Sequence, residues 1–288
     1  MNNTIKSAIA FGSKKLSEIS TNLSTLESRI LLGNVLNIEP NSLLTASENQ
    51  IIAEEEYAKF SEFINRRLEH EPIAYIIKKK EFFGRDFYVN KDVLIPRSDS
   101  ETLIEAIIDE QQINKQKNQQ NTKILELGLG SGCLIITLLL ELEASTAEGI
   151  DISEKAVAVA QKNADHYLIG KNRLNISCKD WRNYESKNLF DIIISNPPYI
   201  SESYQNKELK YEPNLALFAA DDGYAKYEEL SQISGKLLKD SGSIYLEIGQ
   251  NMEDKVEQIF AEQGFYLVDT YKDLAQINRC MKFKKIKS

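Results

Sequence analysis

Histidine is nearly absent from this 288-residue chain, which carries only His70 and His166. So few imidazoles leave little material for a Ser-His triad or a His-ligated metal. Any chemistry must run mostly without imidazole, and no metal site is expected. The three cysteines, Cys133, Cys178 and Cys280, are odd in number and widely spaced. They suggest neither a disulfide framework nor a metal knuckle, and they point to a reducing compartment. Positive charge is also short, with 35 Lys and Arg against 43 Asp and Glu and a net charge of −8. That balance argues against wide contact with a nucleic-acid backbone, so direct nucleic-acid binding is not expected. Lys78-Lys79-Lys80 and the tail 282–287 are local exceptions, read here as solvated lysines. Residues 1–15 lack an apolar core of signal-peptide length, and the longest apolar stretch, 134–140, is far too short to span a bilayer. A cytoplasmic protein without a membrane partner is the expectation.

What is present is enough apolar residue for a core, 42% of the chain against 27% charged. Tyr57, Phe60, Ile64 and Leu68 fall at helical spacing between charged residues. Leu26, Ile30 and Leu31 form a weaker stripe, ended by Gly33 or by Glu39-Pro40. Residues 1–75 are therefore expected to form a small helical domain. Phe82, Phe83, Phe87, Tyr88, Val89, Val93 and Ile95 then flank Gly84 and Asn90-Lys91-Asp92, a turn signal between two short strands. This predicts a linking β-hairpin over 76–97. Ser98-Asp99-Ser100-Glu101 offers N-cap candidates for a helix over 102–110, and the polar stretch 111–121 predicts a solvated end or loop. From there to residue 288, strand and helix patterns alternate: strands at 123–127, 147–152, 175–178, 190–195, 243–248, 266–272 and 280–284, with helices at 133–143, 154–166, 227–239 and 256–263. Such alternation implies a mostly parallel sheet covered on both faces.

Two segments carry chemistry. Glu126-Leu127-Gly128-Leu129-Gly130-Ser131-Gly132 lies between a strand and a helix, where glycines let backbone N–H groups approach a ligand. It matches neither the dinucleotide pattern nor the triphosphate loop. Asp151 follows about twenty residues on, at a strand end, where a carboxylate accepts bonds from ribose hydroxyls. Its competing role, capping the next helix, is one that Ser153 could fill. An E-x-G-x-G-x-G loop followed by an acidic strand end is typical of S-adenosylmethionine sites. Asp180 is then placed to accept from an exocyclic amine, and Trp181, the only tryptophan, to pack on a purine face. Asn196-Pro197-Pro198-Tyr199 ends the apolar strand 190–195. The prolines fix their own φ and remove two donors, leaving a stiff turn with outward carbonyls, an Asn amide and a Tyr ring. Such a turn suits a planar NH2 group, with Asn196 and Pro197 accepting its hydrogens and Tyr199 covering its face.

These motifs resemble the class I methyltransferases that act on planar amine nitrogens, and more narrowly the protein-(glutamine-N5) methyltransferases of peptide chain release factors. Ile95-Pro96-Arg97-Ser98-Asp99-Ser100-Glu101 is similar to that family's Ile-Pro-Arg-Pro-Glu-Thr-Glu segment, departing at Ser98, Asp99 and Ser100. Glu71 to Tyr75 before Glu81-Phe82-Phe83-Gly84, Glu212-Pro213, Ala216-Leu217, Asp222-Gly223, Glu247-Ile248-Gly249 and Asp273-Leu274-Ala275 with Arg279 also match. Glu126 stands where Asp is usual, and Lys78-Lys79-Lys80 where Gly is common. The resemblance implies an α/β fold with a Rossmann-like, mostly parallel seven-stranded sheet over 98–288. It implies S-adenosyl-L-methionine as cofactor, held by Gly128, Leu129, Gly130, Ser131, Gly132, Asp151, Asp180, Trp181 and Asn196. The catalytic residues would be Asn196, Pro197 and Tyr199, with Pro198 joining them in binding substrate. The partner would be a release factor, methylated on the Gln of its Gly-Gly-Gln loop in the service of translation termination. Arg97 and Glu247 are expected to shape the pocket, and the polar segment 201–223 to close over the substrate. An N6-adenine DNA or rRNA base methyltransferase is the alternative, since it shares the Asn-Pro-Pro-Tyr turn.

Overall fold

The computed structural model describes residues 3–19, 22–44, 50–115, 121–204 and 207–286. Residues 1–2, 20–21, 45–49, 116–120, 205–206 and 287–288, on which parts of the expectations above fall, lie outside the described residues. The chain divides into two compact units, Met1–Lys79 with Lys207–Tyr211, and Lys80–Asn206 with Glu212–Ser288.

The first unit is helical: α1 (Ile5–Leu16), α2 (Ser24–Leu36), α3 (Glu54–Leu68) and a short α4 (Ile73–Ile77). Phe60 and Ile64 of the expected stripe are buried with Ile5, Leu16, Leu31 and Leu32. Gly33 does not end α2. The helix runs to Leu36 and stops at Asn37, which takes the left-handed conformation (φ 55°). Gly33 sits inside the helix because the chain folds back there, and a Cβ would lie 2.6 Å from the Ile38 carbonyl oxygen. Glu27, buried on α2, takes a two-pronged ion pair from Arg67 of α3 (3.0 and 3.1 Å). The Tyr211 hydroxyl donates to the Glu69 carbonyl (2.7 Å), so the returning segment Lys207–Tyr211 belongs to this unit.

A two-stranded hairpin follows, β1 (Lys79–Phe82) with β2 (Arg85–Tyr88). Of the two places expected to turn, Gly84, with Phe83, makes the hairpin turn, and Asn90-Lys91-Asp92 does not. Both turn residues have positive φ (51° and 69°), the twist that a two-residue hairpin needs. The Phe83 and Gly84 N–H groups donate to the carboxylates of Glu101 (2.9 Å) and Glu81 (2.6 Å), which compensates for the unusual φ of a phenylalanine. Asn90 instead makes a local side-chain turn, accepting from the Asp92 N–H (2.9 Å).

The remaining elements of the second unit are α5 (Glu101–Lys115), β3 (Lys123–Leu127), α6 (Cys133–Glu141), β4 (Thr146–Asp151), α7 (Glu154–His166), β5 (Leu174–Cys178), β6 (Phe190–Ser195), β7 (Ile200–Ser201), α8 (Asn214–Leu217), β8 (Phe218–Ala219), α9 (Ala225–Leu237), β9 (Leu238–Glu247), α10 (Glu253–Glu262), β10 (Phe265–Lys272) and β11 (Asn278–Lys285). Seven strands form one sheet in the order β10-β11-β9-β6-β3-β4-β5. β11 runs antiparallel to both neighbours, while β9, β6, β3, β4 and β5 are parallel. One face is covered by α5, α6 and α7, through Leu103, Ile107, Ile135 and Ala160 among others. The other is covered by α9 and α10, through Tyr227, Leu230, Val256 and Phe260. Adjacent β3 residues divide accordingly, Ile124 to the first core and Leu125 to the second. This is the seven-stranded, mostly parallel arrangement expected of a class I methyltransferase.

From β3 the chain moves outward through β4 and β5, then crosses back to β6 on the other side of β3. A crevice opens where the winding reverses, at the carboxyl ends of β3 and β6, and open parallel sheets bind ligands there. The Ser195 hydroxyl, donating to the Leu127 carbonyl (2.6 Å), ties these two strand ends together. The tail is not a run of solvated lysines. Lys282 is buried and paired with Glu110 (2.6 Å), while Lys285 donates to the Leu238 carbonyl (2.6 Å).

Candidate active site

The loop after β3 is shaped by its own backbone. The Gly128 and Leu129 N–H groups both donate to the Ile150 carbonyl (3.0 Å each), and Gly128, Gly130 and Gly132 all have positive φ. Asp151 closes the loop from the next strand. Its two oxygens accept from the Gly130 and Ser153 N–H groups (2.9 Å each). Burial pushes its pKa up, against the downward pull of those donors. Ser153, not Asp151, caps α7, accepting from the Ala156 N–H (3.2 Å). Glu126 is buried and joins β3 to α6 by accepting from the Ile135 N–H (3.1 Å); burial holds its carboxyl well above the ordinary range.

Beside the loop lies Trp181, whose ring would meet a Cβ on Gly128 at 3.2 Å. Its indole N–H donates to Glu229 (2.7 Å), which also pairs with Lys226 (2.8 Å). Asp180 accepts from the Arg182 guanidinium and backbone N–H, and that pairing holds its carboxyl below the usual range.

At the end of β6, the Asn196 Nδ2 donates to the Ser100 hydroxyl (3.1 Å). Ser100 in turn donates to Glu247 Oε2, and the Tyr199 hydroxyl donates to Glu247 Oε1 (3.1 Å). Ser100 and Glu247 are both buried. Burial raises the pKa of Glu247, partly offset by these donors and by Arg279, which is itself held by Asp273 (2.9 Å) and Asp99 (3.1 Å). The Asn-Pro-Pro-Tyr turn packs on glycine: a Cβ on Gly223 (φ 94°) would overlap the Tyr199 carbonyl oxygen. Arg97 pairs with the buried Glu212 (2.5 Å), which also accepts from the Ile95 N–H (3.0 Å). These bonds tie Glu212 to the Ile95–Arg97 stretch.

One cavity receives most of these groups. Gly128, Leu129, Gly130, Ser131, Asp151, Asp180, Trp181, Asn196 and Pro198 line it, together with Arg97 and Ser100. Gly132, Pro197 and Tyr199 do not. Gly132 packs against Ala160, Pro197 is buried, and the Tyr199 hydroxyl turns inward to Glu247. Carboxylates of Glu126, Asp151 and Asp180, an indole face and glycine backbone form a set suited to ribose hydroxyls, an aromatic base and a positive centre. Cys133 also lines the cavity, but burial pushes its thiol up to about 12, so it stays protonated near neutrality. Among the described residues, no group of His, Cys, Asp and Glu is placed to hold a metal ion, and no helix is long and apolar enough to cross a membrane.

With this geometry in view, two family models match the chain: the PrmC N-terminal domain at residues 7–77 and the Methyltransferase small domain at residues 105–212. A release factor glutamine methyltransferase of Clostridium acetobutylicum is 34% identical, the match covering 96% of both chains. The chain belongs to the release factor glutamine methyltransferase family. A second member, from Flavobacterium psychrophilum, is 37% identical over 74% of this chain and 75% of its own. A bifunctional methyltransferase of Rickettsia felis is 39% identical over 99% of this chain, which spans only 59% of that longer protein.

Several of this family member's site residues have no local signature in the sequence. Asn163 of α7, buried, donates to the Ser131 and Tyr88 carbonyls (2.8 and 3.0 Å), bracing the glycine loop against the hairpin. Lys226 and Glu229 reach the Trp181 wall from α9. Ser100 stands in a run that resembles an ordinary helix cap. Each depends on a partner distant in sequence.

Proposed function

We propose that this chain transfers the methyl group of S-adenosyl-L-methionine to the side-chain nitrogen of the glutamine in the Gly-Gly-Gln loop of a peptide chain release factor. The observation that carries the reading is the placement of Asn196 and Pro198 in the same cavity as the glycine loop and Asp151. Bound S-adenosyl-L-methionine supplies a methyl group already activated on a sulfonium. Gly128 to Ser131 would give it close backbone approach, Asp151 would accept from its ribose hydroxyls, and Trp181 and Asp180 would hold its adenine.

An amide nitrogen is a weak nucleophile because its lone pair is delocalised into the carbonyl. Alignment and lone-pair release are the main requirements. Asn196, which lines the cavity, accepts an amide hydrogen at Oδ1, holding the nitrogen in line and favouring its pyramidal form. Pro198 bounds the amide plane. A fixed acceptor of this kind lowers a barrier by several kcal/mol without a general base, in keeping with a chain so poor in histidine. As the S–CH3 bond breaks and the N–CH3 bond forms, the nitrogen turns acidic and its proton leaves to water. The helical first unit is the part proposed to engage the body of the release factor, and the cytoplasm is the proposed compartment.

Incubation with tritiated S-adenosyl-L-methionine and separate pools of release factor, DNA and ribosomal RNA tests the reading. Label should enter the release factor. Label in either nucleic acid, with the release factor bare, would overturn it in favour of base methylation.

A further inference from the structure

A carboxamide has two ends of similar shape and opposite hydrogen-bonding character. The proposed role of Asn196, on which the following rests, works in one orientation only: reversed by a half-turn, the group would present N–H to N–H. The sequence contains no local feature that chooses between the two orientations. The structure holds one in a chain of bonds reaching into the protein interior.

Glu247, at the end of β9, is 2% exposed, and when ionised it can only accept. One of its oxygens takes the Tyr199 hydroxyl (3.1 Å) and the other takes the Ser100 hydroxyl. Ser100 has a single hydrogen and spends it on that carboxylate. What it can offer Asn196 is therefore a lone pair, and only the NH2 end of the carboxamide can meet a lone pair. That end is the one found there, Nδ2 to Oγ at 3.1 Å. We propose that Ser100 and Glu247 form a positioning pair that turns the Asn196 carboxamide so that its oxygen, and not its nitrogen, faces the substrate amide. Neither residue needs to touch the reacting atoms. Their contribution is to remove the orientation in which the amide would be repelled.

The pair is supported from behind. The Tyr227 hydroxyl donates to the Glu247 carbonyl (2.9 Å) and fixes the strand end. Arg279, tied to Asp273 and to Asp99 one residue from Ser100, places positive charge near the carboxylate. Arg279, together with the Ser100 and Tyr199 donors, works against the burial that raises the Glu247 carboxyl, toward the ionised form that draws the Ser100 hydrogen to itself.

The test uses the full chain with asparagine nitrogen-15 label, in the unchanged protein and in Ser100→Ala, Ser100→Thr and Glu247→Gln. Asn196→Ala identifies the Asn196 side-chain signal by its loss. In the unchanged chain and in Ser100→Thr, one Asn196 Nδ2 hydrogen should exchange slowly with solvent; in Ser100→Ala and Glu247→Gln it should exchange at least about tenfold faster. Turnover with release factor should fall at least about tenfold in Ser100→Ala and Glu247→Gln, with cofactor affinity within about twofold, while Ser100→Thr recovers most of the rate. Should Ser100→Ala fail to fold, Glu247→Gln and Ser100→Thr still give opposite expectations. Unaltered exchange and turnover in Ser100→Ala would overturn the pair. So would a loss in Ser100→Ala that Glu247→Gln does not share, because the carboxylate is what directs the hydroxyl. If the unchanged chain leaves release factor unmethylated, the functional reading fails separately, and the amide signal still decides the orientation.

Discussion

At the glycine-loop end of the cavity, the bonds that shape the site join close neighbours in sequence: Ser153 to Asp151 across two residues and Gly130 to Asp151 across 21. At the Asn196 end they span 96 residues to Ser100 and then 147 to Glu247. The first end is built around loop backbone held by Asp151, with Glu126, Asp180 and Trp181 beside it, and the second around side chains brought together only by the completed sheet. In the proposed reading, close approach to the loop backbone and the Asp151 carboxylate hold a ligand that arrives the same way each time. A relay of side chains instead orders a single acceptor against one reacting atom. Damage at the first end should therefore appear as lost affinity, and damage at the second as lost rate.

The strongest contrast should come from Asn196→Ala, which is expected to lower methyl transfer by about a thousandfold while cofactor affinity stays within about threefold. Equilibrium titration of cofactor beside single-turnover kinetics checks it, and a parallel loss of affinity would dissolve the distinction between the two ends. Gly223→Ala comes next. Its Cβ would overlap the Tyr199 carbonyl oxygen at a φ of 94°, which glycine alone tolerates. It should destabilise the chain by about 2–3 kcal/mol, read from urea unfolding, and lower the rate through the displaced turn. Asp151→Asn should do the reverse of Asn196→Ala, weakening cofactor about tenfold with the saturated rate within about threefold, as isothermal titration and initial rates would show.

The smallest effect concerns pH. Burial raises the Glu126 carboxyl well above the ordinary carboxylate range. Between that range and the raised value, the folded chain keeps a proton that the unfolded chain has released. The Glu126 contribution to stability therefore falls as pH rises through the window, and levels off above the raised value. Glu126→Gln keeps an oxygen for the Ile135 N–H and removes the titration. Its urea midpoint should fall less steeply with rising pH than that of the unchanged chain, and equal slopes would show that Glu126 titrates normally.

The same division explains what the sequence disclosed. β3, β6 and α7 appear at the expected bounds, because apolar runs and a Ser153 cap are written in neighbouring residues. The glycine loop, Asp151 and the Asn196 turn were legible for the same reason. Ser100 was not, since in a Ser-Asp-Ser-Glu run it resembles a helix cap and its partner Glu247 is remote. The sequence does not choose between Gly84 and Asn90-Lys91-Asp92 for the hairpin turn, because the second has the better turn composition, whereas Phe83 accepts positive φ with Glu81 and Glu101 holding the turn's N–H groups. Lys282 resembled a solvated tail residue until the sheet brought Glu110 to it. In each case composition described the neighbourhood in sequence, and the outcome was decided by a neighbour in space.

The most direct measurement is mass-spectrometric location of the added methyl on a release factor incubated with the chain and S-adenosyl-L-methionine, beside a release factor whose Gly-Gly-Gln glutamine is replaced by glutamate. The account predicts one methyl on the nitrogen of that glutamine and none on the glutamate form. A methyl placed on another residue, or found equally on both proteins, would contradict it.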